Sequence, residues 1–210
     1  ALLKERDIDY LAEEVPGAIA QTLEGVERIS VIVRSVKQFA HPGEAVMAPA
    51  DLNESMKSTV TVSRNEWKYV AELDTDLDPS LPLVSCMIGE INQVVLNLII
   101  NAAHAIADAQ KKEPGRVGRI TLSTRRNAPW AEIRVADTGT GIPPAVQARI
   151  FDPFFTTKEV GRGTGQGLTI SRSIVVDKHG GQLFFETEPG AGTSFVVRLP
   201  LEQPNEGREK

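Results

Sequence analysis

A single cysteine, Cys86, stands in a chain of 210 residues, so no internal disulfide framework is available and a reducing compartment suits the composition. Histidine is almost as scarce. His41, His104 and His179 lie far apart, and without a second cysteine they make no zinc-ligand set. No apolar run approaches the roughly 20 residues needed to cross a bilayer. The longest, VVLNLII at 94–100, is interrupted by Asn97. Basic residues are not in excess: Lys and Arg number 23 against 28 Asp and Glu, and a net charge of −5 leaves no electrostatic footprint for a nucleic acid. The chain opens on ALLKERD, with neither an initiator methionine nor a signal peptide, and reads as a piece of something longer. What remains is ordinary for a soluble globular protein, 41% apolar and 24% charged, with length for one good-sized domain or two small ones.

Two textures divide the chain. Through residues 8–40 apolar side chains recur in steps of three and four, among them Ile19, Val26, Ile29, Val33 and Val36, an amphipathic helical stripe near the heptad period. Pro16 splits it, leaving a main helix of about 25 residues, roughly 37 Å long, that ends at His41-Pro42-Gly43 and needs partner helices to cover its stripe. After a linker at 42–50 the pattern is mixed. Asp51 and Glu54 form a capping box for a helix to about Asn65. Residues 67–74 and 81–86 read as strands, 88–109 as a strong helix, and 119–125 with 131–137 as an antiparallel pair. A short helix near 144–150 and another at about 167–179 precede a final hairpin, 182–188 with 193–200, and a polar tail. The expected fold class is α+β: an α/β sandwich with a mixed, mainly antiparallel sheet and helices on one face, preceded by a long amphipathic helix. The expected domains are 1–45, 46–202 and a frayed tail at 203–210.

Four segments carry polar residues in patterns that suggest chemistry. On the 88–109 helix, Glu90, Gln93, Asn97, Asn101 and His104 share one edge while Ile91, Val95, Leu98, Ile99 and Ala102 face the core. Amides in such a row need partners, either a ligand or metal or the neighbouring loops. Directly after a strand comes DTGTGIP, Asp137 to Pro143. There Asp137 is placed to accept from an exocyclic amine, and Gly139 and Gly141, just before Ile142, let backbone approach a flat ring; a plain turn would use the same residues. The third is IFDPFFTTK at 150–158, an apolar plug or core cluster running into a polar loop. The fourth is GRGTGQGL at 161–168, whose glycines open a helix and can present N–H groups to phosphate. It lacks the Lys-Ser/Thr of a P-loop and does not follow a strand as the dinucleotide fingerprint requires.

In this order and spacing the four segments resemble the N, G1, F and G2 boxes of sensor histidine kinases and of the wider gyrase/MutL-type ATPase superfamily. Gly190-Ala191-Gly192-Thr193 is similar to the last glycine motif of that family, and the likeness covers about residues 50–200. The amino-terminal helix resembles the second helix of the dimerisation and phosphoacceptor hairpin. The resemblance implies ATP and Mg²⁺ as cofactors. Asn101 corresponds to the asparagine that holds Mg²⁺ against the triphosphate, with Asn97 one turn earlier, and His104 stands where many members carry a phosphate-contacting lysine. Asp137 corresponds to the reader of the adenine amine, aided by Gly141 and Thr193. Residues 154–166 correspond to the ATP lid, where Lys158 or Arg162 can reach phosphates and Gly163, Thr164, Gly165, Gln166, Gly167 and Leu168 lead into the helix.

No histidine here is followed by the acidic residue that marks the phosphoacceptor site, and both His41 and His179 read as helix-end residues. Superfamily members that hydrolyse ATP with water carry a glutamate one turn before the Mg²⁺ asparagine, where this chain has Asn97. Imidazole needs less help from a base than water does, so the amide favours a kinase over a hydrolytic clamp, with a non-catalytic nucleotide-binding dimerisation module as a further alternative. The expected partners are a response regulator receiver domain and a second copy joined through the helical hairpin of the full-length protein. A cytoplasmic location is expected, with no membrane contact by this segment and a parent that could be membrane-anchored.

Overall fold

The computed structural model describes residues 15–17, 19, 22, 23, 46–157 and 164–202. The chain divides into two compact units, Ala1–Ala45 and Val46–Lys210. In the first unit the described residues are helical, Pro16 included, and most of the expected 16–40 helix lies outside the described residues.

The second unit is built on a five-stranded sheet. Its strands are β2 (Ala71–Leu77), β4 (Gly118–Asn127), β5 (Trp130–Asp137), β6 (Gln182–Glu188) and β7 (Gly192–Pro200), in the order β2-β4-β5-β7-β6. The β2–β4 pair is parallel and the others antiparallel. Alternation along the strands sorts the faces. Ile120 and Leu122, Ala131, Ile133 and Val135, and Phe195, Val197 and Leu199 are buried on one face. The opposite face is laced with ion pairs, including Arg119–Asp74 at 3.0 Å, Arg134–Glu186 at 2.6 Å and Arg198–Glu132 at 3.0 Å.

Helix α3 (Ile88–Lys112) covers the apolar face. Ile91, Val94, Val95, Leu98, Ile99, Ala102, Ala103 and Ile106 are buried in a stripe of three- and four-residue steps, as the sequence periodicity predicts. On one side lies α1 (Leu52–Val62), capped by Asp51, whose carboxylate accepts from Glu54 N at 3.1 Å. A separate turn of helix, α2 (Arg64–Trp67), follows. On the other side α5 (Gly167–Arg172) runs into a π-helical turn, Ser173–Lys178. A short helix, α4 (Pro144–Gln147), precedes the polar loop.

Three local features depart from the sequence reading. The expected linker contains a strand, β1 (Ala48–Ala50), which pairs antiparallel with β3 (Val84–Cys86) in a two-stranded ladder apart from the main sheet. The strand expected from residue 67 begins at Ala71, because α2 and its hydrogen-bonded turn occupy 64–70. His179 does more than end a helix. It is 1% exposed; its Nδ1 lies 2.7 Å from Ile174 O and its Nε2 accepts from Met87 N at 3.0 Å. Met87 is the N-cap of α3 and offers no side-chain cap, so the imidazole secures the start of the central helix.

Candidate functional site

Antiparallel register brings Asp137 at the end of β5 opposite Thr193 on β7, and Thr193 opposite Thr187 on β6. The three side chains form the last row of the helix-covered face. Burial pushes the Asp137 carboxyl up to about 6, and the backbone amides of Gly139 and Thr193 oppose that rise. Gly139 N donates to Asp137 Oδ1 at 2.7 Å. Burial, with no charged neighbour among the described residues contributing, raises the carboxyl, and a carboxylate so placed can take a donor from a ligand. A shallow depression at this end of the sheet touches Asp137, Thr187 and Thr193 but is bounded by Ala136, Glu186 and Ser194, which belong to the ion-paired face.

The turn after β5 is fixed from two sides. Gly141 has φ 66°, and a Cβ there would lie 2.3 Å from the carbonyl oxygen of Glu188, so only glycine lets the two loops meet. Ile142 N donates to Thr187 Oγ1 at 2.9 Å. Gly190 N donates to Thr140 O at 2.8 Å, and Arg116 reaches Gly190 O at 3.2 Å. The glycines expected to admit a flat ring therefore also join the 138–142 turn to its neighbours.

The amide edge of α3 meets the start of α5. Asn97 Nδ2 donates to Gly167 O at 2.8 Å and lies 3.4 Å from Ser171 Oγ, which leaves its amide oxygen as the group it can offer a cation. Asn101 is half-buried on the same edge one turn on, and His104 is exposed. Asparagine supplies the hard oxygen type that Mg²⁺ takes, an ion that completes its shell from phosphate and water.

Between α4 and α5 the aromatic segment divides. Phe151 and Phe155 pack against the core, with Phe151 and Phe185 centroids 6.1 Å apart, whereas Phe154 is 71% exposed with φ 63°. Gly165, φ 65°, sits against the Phe154 backbone, where a Cβ would come within 2.4 Å of its carbonyl carbon. Thr164 is exposed, Gln166 is the α5 N-cap and Leu168 packs on the core. Lys158, Arg162 and Gly163 lie outside the described residues. Sequence reading missed Thr187, whose Thr-Glu-Pro-Gly context reads as a strand end, and Arg116, whose partner is 74 positions away.

The sequence profile of the family described as histidine kinase-, DNA gyrase B-, and HSP90-like ATPase matches residues 88–203. The two-component sensor PprA of Pseudomonas aeruginosa is 32% identical over 201 residues, 95% of this chain and 21% of the relative. The sensor protein FixL of Bradyrhizobium diazoefficiens is 31% identical over 193 residues, 91% of this chain and 37% of the relative. The chain thus spans well under half the length of these curated relatives. Among solved structures, the nucleotide-free catalytic domain of histidine kinase ThkA superposes with a TM-score of 0.63 at 28% identity, covering 74% of this chain and 95% of that one. The complex of ThkA with the response regulator protein TrrA superposes with a TM-score of 0.64 at 25% identity, covering 85% of this chain and 48% of that one.

Proposed function

The chain belongs to the histidine kinase-, DNA gyrase B- and HSP90-like ATPase family, and from that premise we propose that it is the ATP-binding catalytic region of a two-component sensor histidine kinase. The observation that carries this reading is the row Asp137–Thr193, a half-buried, raised carboxyl paired across the ladder with a hydroxyl. It is suited to an exocyclic amine.

In this reading Asp137 holds the adenine amine, and the 138–142 turn and Thr193 bound the base. Asn101, with the Asn97 oxygen one turn earlier, would hold Mg²⁺ against the triphosphate; bound there, the ion supplies charge neutralisation at the phosphates. His104, Lys158 and Arg162 add positive or hydrogen-bonding groups, and the glycines of 163–167 bring backbone amides to the phosphate oxygens. The γ-phosphoryl passes to a histidine outside these 210 residues and then to an aspartate of a receiver domain. The protein's work is positioning and electrostatics. The likeness to a kinase solved with a response regulator supports the receiver as partner, and we place the domain in the cytoplasm of a dimeric parent, with residues 1–45 as part of its dimerisation hairpin and 46–202 as its catalytic domain.

Calorimetric titration with Mg·ATP tests the reading. Asp137→Asn, which turns an acceptor face into a partly donating one, should weaken binding about 10- to 100-fold, the equivalent of roughly 1–3 kcal/mol. GTP, which lacks the amine at that position, should bind poorly. Equal affinity for ATP and GTP would overturn the assignment.

A further inference from the structure

Thr187 has three polar neighbours and one proton to give. Ile142 N at 2.9 Å can only donate, and Gly192 O at 3.0 Å can only accept. The third neighbour, Thr193 Oγ1 at 3.0 Å, can do either. One arrangement satisfies every group at once. Ile142 N–H goes to Thr187 Oγ1, the Thr187 hydroxyl proton goes to Gly192 O, and Thr193 donates its own proton to the remaining lone pair of Thr187. Thr193 is 5% exposed. With its proton spent on Thr187, its oxygen has only acceptor capacity left for whatever lies beside Asp137.

We infer that Thr187 is a specificity-positioning residue, which fixes the Thr193 hydroxyl as an acceptor so that Asp137 and Thr193 both face the base as acceptors. With both acceptors on the two hydrogens of one exocyclic amine, the pocket selects that amine and rejects a carbonyl in the same position. The inference rests on the nucleotide-site reading above. It adds a residue that touches no ligand itself and acts through Thr193.

Removing the Thr187 hydroxyl frees the Thr193 proton to turn into the pocket, where it can satisfy a carbonyl. Thr187→Val, near in shape, should lower the preference for ATP over inosine triphosphate about three- to tenfold, the size of one hydrogen bond, chiefly by tighter inosine triphosphate binding. Thr187→Ser, which restores the hydroxyl, should return the wild-type ratio, a recovery that loss of packing alone would not give. Thr193→Val leaves the Thr187 bonds to Ile142 and Gly192 in place, and in that background Thr187→Val should leave the ratio unchanged. These ratios are read by calorimetry with each Mg²⁺-loaded nucleotide, on variants whose thermal unfolding shows them folded. Should Thr187→Val fail to fold, the Thr187→Ser and Thr193→Val pair decides, because the first must keep the ratio and the second must lower it. A wild-type protein without preference for ATP would overturn the nucleotide-site reading. A wild-type preference that survives intact in Thr187→Val, or in Thr193→Val, would overturn only the role of Thr187.

Discussion

At the scale of single residues, Asp137 ties stability and ligand binding to pH with opposite signs. Its folded pKa is raised to about 6 by burial. The folded state therefore holds this proton more tightly than the unfolded chain does. The resulting contribution, about 2–3 kcal/mol at most, is fully present below pH 4 and is lost as pH rises through about 6. Acceptance of an amine requires the ionised carboxylate, so affinity for Mg·ATP should rise over the same interval and level off above it. Thermal melts and titrations between pH 4.5 and 7.5 should show both trends. In Asp137→Asn both should flatten, and a mutant that keeps the wild-type difference between pH 5 and 7 would show that another group carries it.

At the scale of elements, α3 does two jobs because its two faces differ. The apolar face anchors the sheet, and the amide edge meets α5 through Asn97 and Gly167. Its amino-terminal end depends on residues about 90 positions away. Glu90 pairs with Lys178 at 2.6 Å, and Met87 N–H finds its acceptor on His179. His179→Ala removes buried imidazole volume and leaves both Met87 N–H and Ile174 O without their partner. A loss of about 2–4 kcal/mol in chemical denaturation is expected. Mg·ATP affinity of the folded fraction should change little, because His179 holds the start of α3, more than two turns before Asn97. Denaturation midpoints together with calorimetry check both halves of that expectation.

For the whole molecule, nucleotide binding and phosphoryl transfer should separate. The chain should bind Mg·ATP yet fail to label itself, since no histidine here stands in the sequence context of a phosphoacceptor. Label should appear on a supplied histidine-bearing helix of the parent protein, in the same chain or on a partner. Incubation with γ-labelled ATP followed by mapping of acid-labile phosphate is the measurement. Stoichiometric label on His41, His104 or His179 would contradict the expectation.

Much of this was legible in the sequence because it is periodic or local. The steps of three and four that bury Ile91 through Ile106 are written along one helix, and the Asp51 cap lies within one turn of its partner. Asp137 stood out through the order and spacing of its Asp-Thr-Gly-Thr-Gly segment among the other three, which resemble a known family, since alone that segment reads equally as a turn. β1 escaped notice because Ala-Pro-Ala has neither alternation nor strand propensity, and its partner β3 lies 34 residues on. Thr187, Arg116 and His179 were illegible for a related reason. Each acts through a hydrogen bond to a backbone atom of a distant segment, and backbone partners leave no trace in side-chain pattern. The sequence by itself therefore determined the layers, the central helix and its polar edge, products of hydrophobic period and local capping. Only the tertiary structure decided the strand register that sets Asp137, Thr193 and Thr187 side by side. It also decided the contact that sets Thr187 against the Ile142 amide, because both follow from contacts between segments far apart in the chain.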